Sequence, residues 1–170
     1  MKQFENIAVI GAGTMGSGIA AQIANAGLDV LLLDLDARDG EDKTPAEKAI
    51  DRLIASDPPQ LMHKKNAGRI TTGTIDGDFA KLGACDWIIE AVVERLDIKK
   101  ALYKRLDETI LDDCIVSSNT SSIPISLLVE DMPTSFRARF AITHYFNPVR
   151  YMRLLELVRG LETSDEVIDR

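Results

Sequence analysis

The sequence predicts an α/β domain built on a doubly wound, mostly parallel sheet. Apolar runs of strand length recur along the chain: Ile7-Ala8-Val9-Ile10, Val30-Leu31-Leu32-Leu33, Asp86 to Val93, Cys114 to Ser117, Phe140 to Thr143 and Leu154 to Val158. Most carry no polar alternation, the pattern of strands buried on both faces. Segments with helical spacing and short links separate them, and alternating strands and helices wind into this architecture. A chain of 170 residues with 45% hydrophobic content can bury one proper core.

The first unit, Asn6 to Asp34, is the most informative. A strand over Ile7 to Ile10 runs straight into Gly11-Ala12-Gly13-Thr14-Met15-Gly16. A small-residue helix follows from about Thr14 to Ala26, and Gly27 stops it. The second strand then ends on the acidic Asp34. Strand, glycine loop, helix, strand and terminal carboxylate together form the dinucleotide-binding fingerprint of a Rossmann-type domain. Gly11 permits the tight turn, Gly13 lets backbone amides approach a pyrophosphate, and Gly16 lets the helix sit against the sheet. The free N–H groups of the first helical turn, at Thr14 and Met15, face the phosphates. Asp34 is placed to accept hydrogen bonds from a ribose 2′-hydroxyl, and Asp36 adds charge that repels a 2′-phosphate. NAD is therefore expected over NADP, with Arg38 the nearby residue that argues the other way.

Beyond a polar stretch to Thr44, Pro45 opens a helix to about Ala55, capped by Thr44 and ended by Asp57-Pro58-Pro59. His63-Lys64-Lys65 reads as a solvated face, with contact to phosphates of a large anionic substrate as its functional alternative. A short strand over Arg69 to Gly73 and a turn-rich connection lead to the central strand Asp86 to Val93. Glu94 precedes a helix over about Asp97 to Ile110, whose apolar positions Ile98, Leu102, Leu106 and Ile110 recur every fourth residue. Cys114 to Ser117 ends in Ser118-Asn119-Thr120-Ser121-Ser122, hydrogen-bonding side chains at the strand edge where parallel sheets bind ligands. A short helix over Ser126 to Val129 follows Pro124, the strand Phe140 to Thr143 delivers His144, and Leu154 to Val158 is the last strand. Thr163-Ser164-Asp165-Glu166 matches a capping box. Residues 1–162 are thus expected to form the nucleotide domain, and 163–170 the start of a helix leading into a following domain.

Charge and composition narrow the partners. A net charge of -7 argues against general affinity for nucleic acid or anionic membranes. No apolar run has membrane-spanning length, and Met1 to Glu5 lacks a signal-peptide pattern. Cys85 and Cys114 show no metal-ligand spacing and read as reduced core thiols, which points to the cytoplasm.

The chemistry sits near the end of the chain. Glu156 lies in an otherwise apolar strand, where a buried carboxylate needs a partner, and His144 is the natural one. A carboxylate on one imidazole nitrogen leaves the other free to take a proton, and with NAD at the same edge the chemistry suggested is alcohol oxidation. Ser121 could hold the reacting oxygen. Spacing alone leaves open a structural histidine, an edge-strand glutamate and a serine that merely caps a turn.

Taken together, Ser118 to Ile125, His144-Tyr145-Phe146-Asn147-Pro148-Val149 and Leu154-Leu155-Glu156 resemble the NAD-binding domain of 3-hydroxyacyl-CoA dehydrogenases. The resemblance runs from the glycine loop to Glu166. It implies His144 as general base, Glu156 as its orienting acid and Ser121 as a contact of substrate and cofactor. It also implies that Glu94, Lys99 and Asn147 touch NAD, although Glu94 and Lys99 otherwise pass for a solvated helix start. The segment from Phe146 to Met152 is similar to dehydrogenase parts of bacterial multifunctional β-oxidation proteins, which also carry an enoyl-CoA hydratase; any hydratase here would have to lie downstream. Implied partners are an acyl-CoA substrate, a C-terminal helical domain that completes the site, and a second copy of the full-length protein. The family's CoA-contacting serine and lysine have no clear counterpart between Asp34 and Arg69 beyond Lys64 or Lys65. Two other functions remain on the page: a dehydrogenase of a small hydroxy acid such as gulonate, and a non-catalytic NAD-binding module. The 170-residue chain alone is expected to bind NAD without turning over.

Overall fold

The computed structural model describes residues 4–170; Met1 to Gln3, part of the segment read for a leader, lie outside them. These residues build a seven-stranded sheet from β1 (Ile7–Ile10), β2 (Val30–Asp34), β3 (Ile70–Thr74), β4 (Trp87–Glu90), β5 (Ile115–Ser118), β6 (Phe140–Tyr145) and β7 (Leu155–Arg159). The strand order is β3-β2-β1-β4-β5-β6-β7. All neighbours run parallel except β6 and β7, which pair antiparallel. The order reverses beside β1, so the carboxyl ends of β1 and β4 flank the crevice where such sheets take ligands.

The helices are α1 (Thr14–Asn25), α2 (Pro45–Ala55), α3 (Ile75–Asp78), α4 (Leu96–Asp107), α5 (Ile125–Leu128), α6 (Thr134–Ala138) and α7 (Asp165–Asp169). On one sheet face Val9, Leu32 and Ile89 pack with Ile19, Ala20 and Ala24 of α1 and Ala49 and Leu53 of α2. On the other, Ile10, Ile88 and Val116 pack with Tyr103 and Leu106 of α4 and Phe136 of α6. The alanines bring α1 close to the sheet, whereas the far face is filled by the packed aromatic rings of Tyr103, Phe136 and Phe140.

The helix ends follow local chemistry. Thr44 caps α2 in a full capping box with Glu47, and Pro45 occupies the first helical position. Gly27 takes a φ of +89°, a left-handed conformation that ends α1.

The structure corrects four expectations. The central strand stops at Glu90, not Val93: the Ala91 amide makes the last bond to β1, at Ile10 O, and the Val92 amide turns back onto the Glu90 side chain. On α4, Ile98 is exposed and Lys99 is buried. The α7 N-cap is Ser164, and no capping box forms: Thr163 Oγ1 instead accepts from Gly160 N and donates to Phe140 O. Glu156 is not buried; its side chain is 50% exposed, as all of β7 is exposed at the sheet edge.

Cys85 and Cys114 are free and buried, and burial pushes their thiols up to about 11 and about 12. Among the described residues, no helix is long and apolar enough to cross a membrane and no acid, histidine and cysteine cluster could hold a metal ion.

Candidate active site

The glycine loop is shaped by contacts that only glycine tolerates. Gly11 has a φ of +105°, and a Cβ there would lie 2.4 Å from Ala91 O. A Cβ on Gly16 would fall 1.7 Å from Gly11 O, so the first turn of α1 lies directly on the loop. Around Gly13 the opposite holds: an added Cβ meets nothing within 4 Å, so the space above the loop is open. Gly13 is also the N-cap of α1 and offers no side-chain cap, which leaves the amides of Thr14, Met15 and Gly16 to an outside acceptor. Asp34 closes β2 beside them. Its Oδ2 accepts from Ala12 N and its Oδ1 from Leu35 N at 2.7 Å, tying the acid to the glycine loop.

At the other side of the crevice, antiparallel register sets His144 of β6 directly opposite Glu156 of β7. The His144 Nδ1 to Glu156 Oε2 distance is 2.9 Å. A carboxylate only accepts, so Nδ1 carries the proton and Nε2 is left as the basic atom. The Phe146 ring packs against the imidazole, centroids 4.6 Å apart. Asn119 Oδ1 accepts from Tyr145 N at 2.9 Å, fastening the serine-rich loop to the strand that carries His144. Ser121 is exposed on that loop, and Asn147 is exposed just beyond β6.

Between these halves lies a charged cluster. Lys99, 1% exposed, reaches Glu90 at 2.6 Å and Glu94 at 3.2 Å. Glu94 in turn accepts from the hydroxyls of Thr120 and Ser122. Desolvation pushes the Glu94 carboxyl up, but the Thr120 and Ser122 hydroxyls and the Lys99 charge outweigh it and hold it at about 2. Glu94 and Lys99 are therefore parts of one network and not a solvated helix start. His63, Lys64 and Lys65 stand exposed in a 3-10 turn between α2 and β3, away from these elements in sequence.

Residues 6–170 match the family described as 3-hydroxyacyl-CoA dehydrogenase, NAD binding domain. The chain belongs to this family. As its NAD-binding domain, it is 42% identical over 169 residues to a putative fatty acid oxidation complex trifunctional enzyme of Rickettsia felis, covering 99% of this chain and 24% of that protein. It is 40% identical to a probable 3-hydroxyacyl-CoA dehydrogenase of Deinococcus radiodurans, covering 98% of this chain and 48% of the relative. The crystal structure of 3-hydroxybutyryl-CoA dehydrogenase from Escherichia coli K12 superimposes with a TM-score of 0.84 at 35% identity, over 99% of this chain and 35% of that one. The chain thus spans from about a quarter to about half of the curated relatives named here.

The domain's own geometry fits a dinucleotide. The uncapped helix start, the open space over Gly13 and the carboxylate at the end of β2 are the three parts such a ligand requires. Two residues escaped the sequence, Glu90 and Tyr103; with Ser118 of the serine-rich strand edge they meet beneath the Glu94 and Lys99 cluster. Glu90 carried a usable signal, an acid closing an apolar strand, but reading that strand on to Val93 placed it mid-run.

Proposed function

We propose that the longer protein is an (S)-3-hydroxyacyl-CoA dehydrogenase of fatty-acid β-oxidation, and that this domain supplies its cofactor site and catalytic base. The observation that carries this is the His144–Glu156 pair, 2.9 Å apart at the sheet edge that also holds the glycine loop. Gly11, Gly13, Thr14, Met15, Gly16 and Asp34 would hold the ADP half of NAD, with Glu94, Lys99, Ser121 and Asn147 toward the nicotinamide half. Bound NAD would supply the hydride acceptor. His144 Nε2 takes the proton of the substrate 3-hydroxyl, and Glu156 holds the resulting imidazolium in place. The Ser121 hydroxyl donates to the reacting oxygen.

A following helical domain would complete the acyl-CoA cleft. Two facts support it: the longer relatives, and a groove of about 390 Å³ on the sheet, where Leu155 and Leu157 lie open and Val167 and Ile168 of α7 lead in. A cytoplasmic homo-oligomer, with an enoyl-CoA hydratase elsewhere in the same protein, belongs to the same proposal.

The test begins with fluorescence titration of this chain with NADH, NADPH serving as control. Saturable NADH binding with weak NADPH binding is expected. The longer protein is then assayed with acetoacetyl-CoA and with gulonate; turnover of gulonate but not of acetoacetyl-CoA would replace this proposal with a small hydroxy-acid dehydrogenase.

A further inference from the structure

Glu90 is the most enclosed acid of the site and no step above uses it. Its side chain is 0% exposed at the end of β4. Oε1 accepts from Lys99 Nζ at 2.6 Å and from Val92 N at 2.8 Å. Oε2 accepts from Tyr103 OH at 2.6 Å and from Ser118 Oγ at 2.7 Å. Two bonds on each oxygen use the acceptor capacity of a carboxylate, so Glu90 has nothing left for a ligand. Its main-chain oxygen also accepts from Asn119 N at 2.8 Å.

Each partner leads outward to a segment of the site. Val92 begins the loop that carries Glu94. Lys99 reaches Glu94 at 3.2 Å, and Glu94 holds Thr120 and Ser122, the two neighbours of Ser121. Ser118 Oγ also receives the Thr120 amide at 3.3 Å. A buried ion pair is a poor device for stability alone, because apolar side chains of similar volume commonly serve as well. It does fix direction, since each charge must meet its counterpart at a set distance and angle.

We infer that Glu90 is a positioning residue of the cofactor site: it sets Lys99, through Lys99 the Glu94 carboxylate, and through Glu94 the loop that presents Ser121. Glu90 touches neither cofactor nor substrate and acts through these groups. The inference rests on the proposed placement of NAD against Glu94, Lys99 and Ser121.

The test compares Glu90→Gln with Tyr103→Phe in this chain, by NADH titration and by thermal unfolding. The glutamine has the same shape but carries no charge, so it leaves Glu94 as the one counter-charge the network gives Lys99. Tyr103→Phe removes one bond to the same carboxylate and keeps the Glu90–Lys99–Glu94 series whole. Well below both unfolding midpoints, Glu90→Gln is expected to raise the NADH Kd about tenfold or more, as loss of a charged hydrogen bond does. Tyr103→Phe is expected to lower the midpoint and leave Kd within about twofold, the change of a merely structural partner. Equal Kd values for Glu90→Gln and the unaltered chain would overturn the inference while leaving the cofactor site in place. Failure of the unaltered chain to bind NADH would overturn the cofactor placement and this inference with it. If Glu90→Gln does not fold, Glu90→Asp keeps the charge and withdraws it by one methylene; an unchanged Kd in that variant overturns the inference equally.

Discussion

The roles proposed for Asp34 and His144 differ, and single substitutions separate them. Asp34→Ala removes the proposed ribose acceptor and frees the Ala12 amide it holds, so NADH affinity should fall about tenfold and discrimination against NADPH should relax. His144→Gln should leave NADH affinity of this chain within about twofold while abolishing acetoacetyl-CoA reduction in the longer protein. Parallel titrations of the two variants check this, and a His144→Gln Kd raised as far as that of Asp34→Ala would contradict the assigned roles. Glu94 adds a pH signature. Its folded-state carboxyl lies at about 2 against an ordinary value of 4.5, so the unfolded chain binds the extra proton first as pH falls. The stability it contributes is complete above about pH 4.5 and disappears as pH drops toward 2. Urea unfolding of the chain and of Glu94→Gln should therefore differ at pH 6 and converge near pH 2. At this scale the sequence disclosed acids that stand where a strand visibly ends, such as Asp34. It concealed the burial of Lys99, because a lysine at the start of a charged helix looks solvated until a buried glutamate is known to face it.

Among the elements, β1, α1 and β2 were legible because every position is constrained twice, by apolar period and by glycine. The helix α2 was legible through its proline and cap. Strand ends were less so, since Ala91-Val92-Val93 is as apolar as the strand before it and only the bond of the Val92 amide to the Glu90 side chain takes it out of the sheet. The five-residue α6 has no period to read, and the capping pattern at Thr163 yields to a stronger local demand from Gly160 N and Phe140 O. The tight packing of α1 on its loop gives a paired prediction. Gly16→Ala places a Cβ where Gly11 O lies, so it should cost at least about 2 kcal/mol in urea unfolding and weaken NADH binding as well. Gly13→Ala meets no protein atom, so it should cost about 1 kcal/mol or less, the usual loss at an N-cap. Its effect should fall on NADH affinity, because the new methyl occupies the open space over the loop. Equal losses of stability in the two variants would mean that the loop does not bear on the helix as drawn here.

Across the whole molecule the two sheet faces are unequal. The face of α4, α5 and α6 is closed by aromatic packing, while the opposite face is covered over β1 and β2 and opens toward β7. Leu157 is 53% exposed there and Leu155 is 38% exposed. This also explains why an apolar strand misled the sequence reading of Glu156: the run Leu154-Leu155-Glu156-Leu157-Val158 has the composition of a buried strand, and within this chain it forms a bare edge. Exposed leucines on a sheet face mark a surface meant for cover, which the proposed second domain would provide. A dye that fluoresces on apolar surfaces, such as anilinonaphthalene sulfonate, should therefore bind the folded chain at neutral pH. Leu157→Lys should lower that signal and leave the unfolding midpoint nearly unchanged, because Leu157 is already half in water. In the longer protein the same substitution should cost about 3 kcal/mol, as a lysine ammonium would then have to be desolvated under the following domain. Equal midpoints for the longer protein with and without Leu157→Lys would mean that this edge stays in water there too, and the domain would have to dock elsewhere.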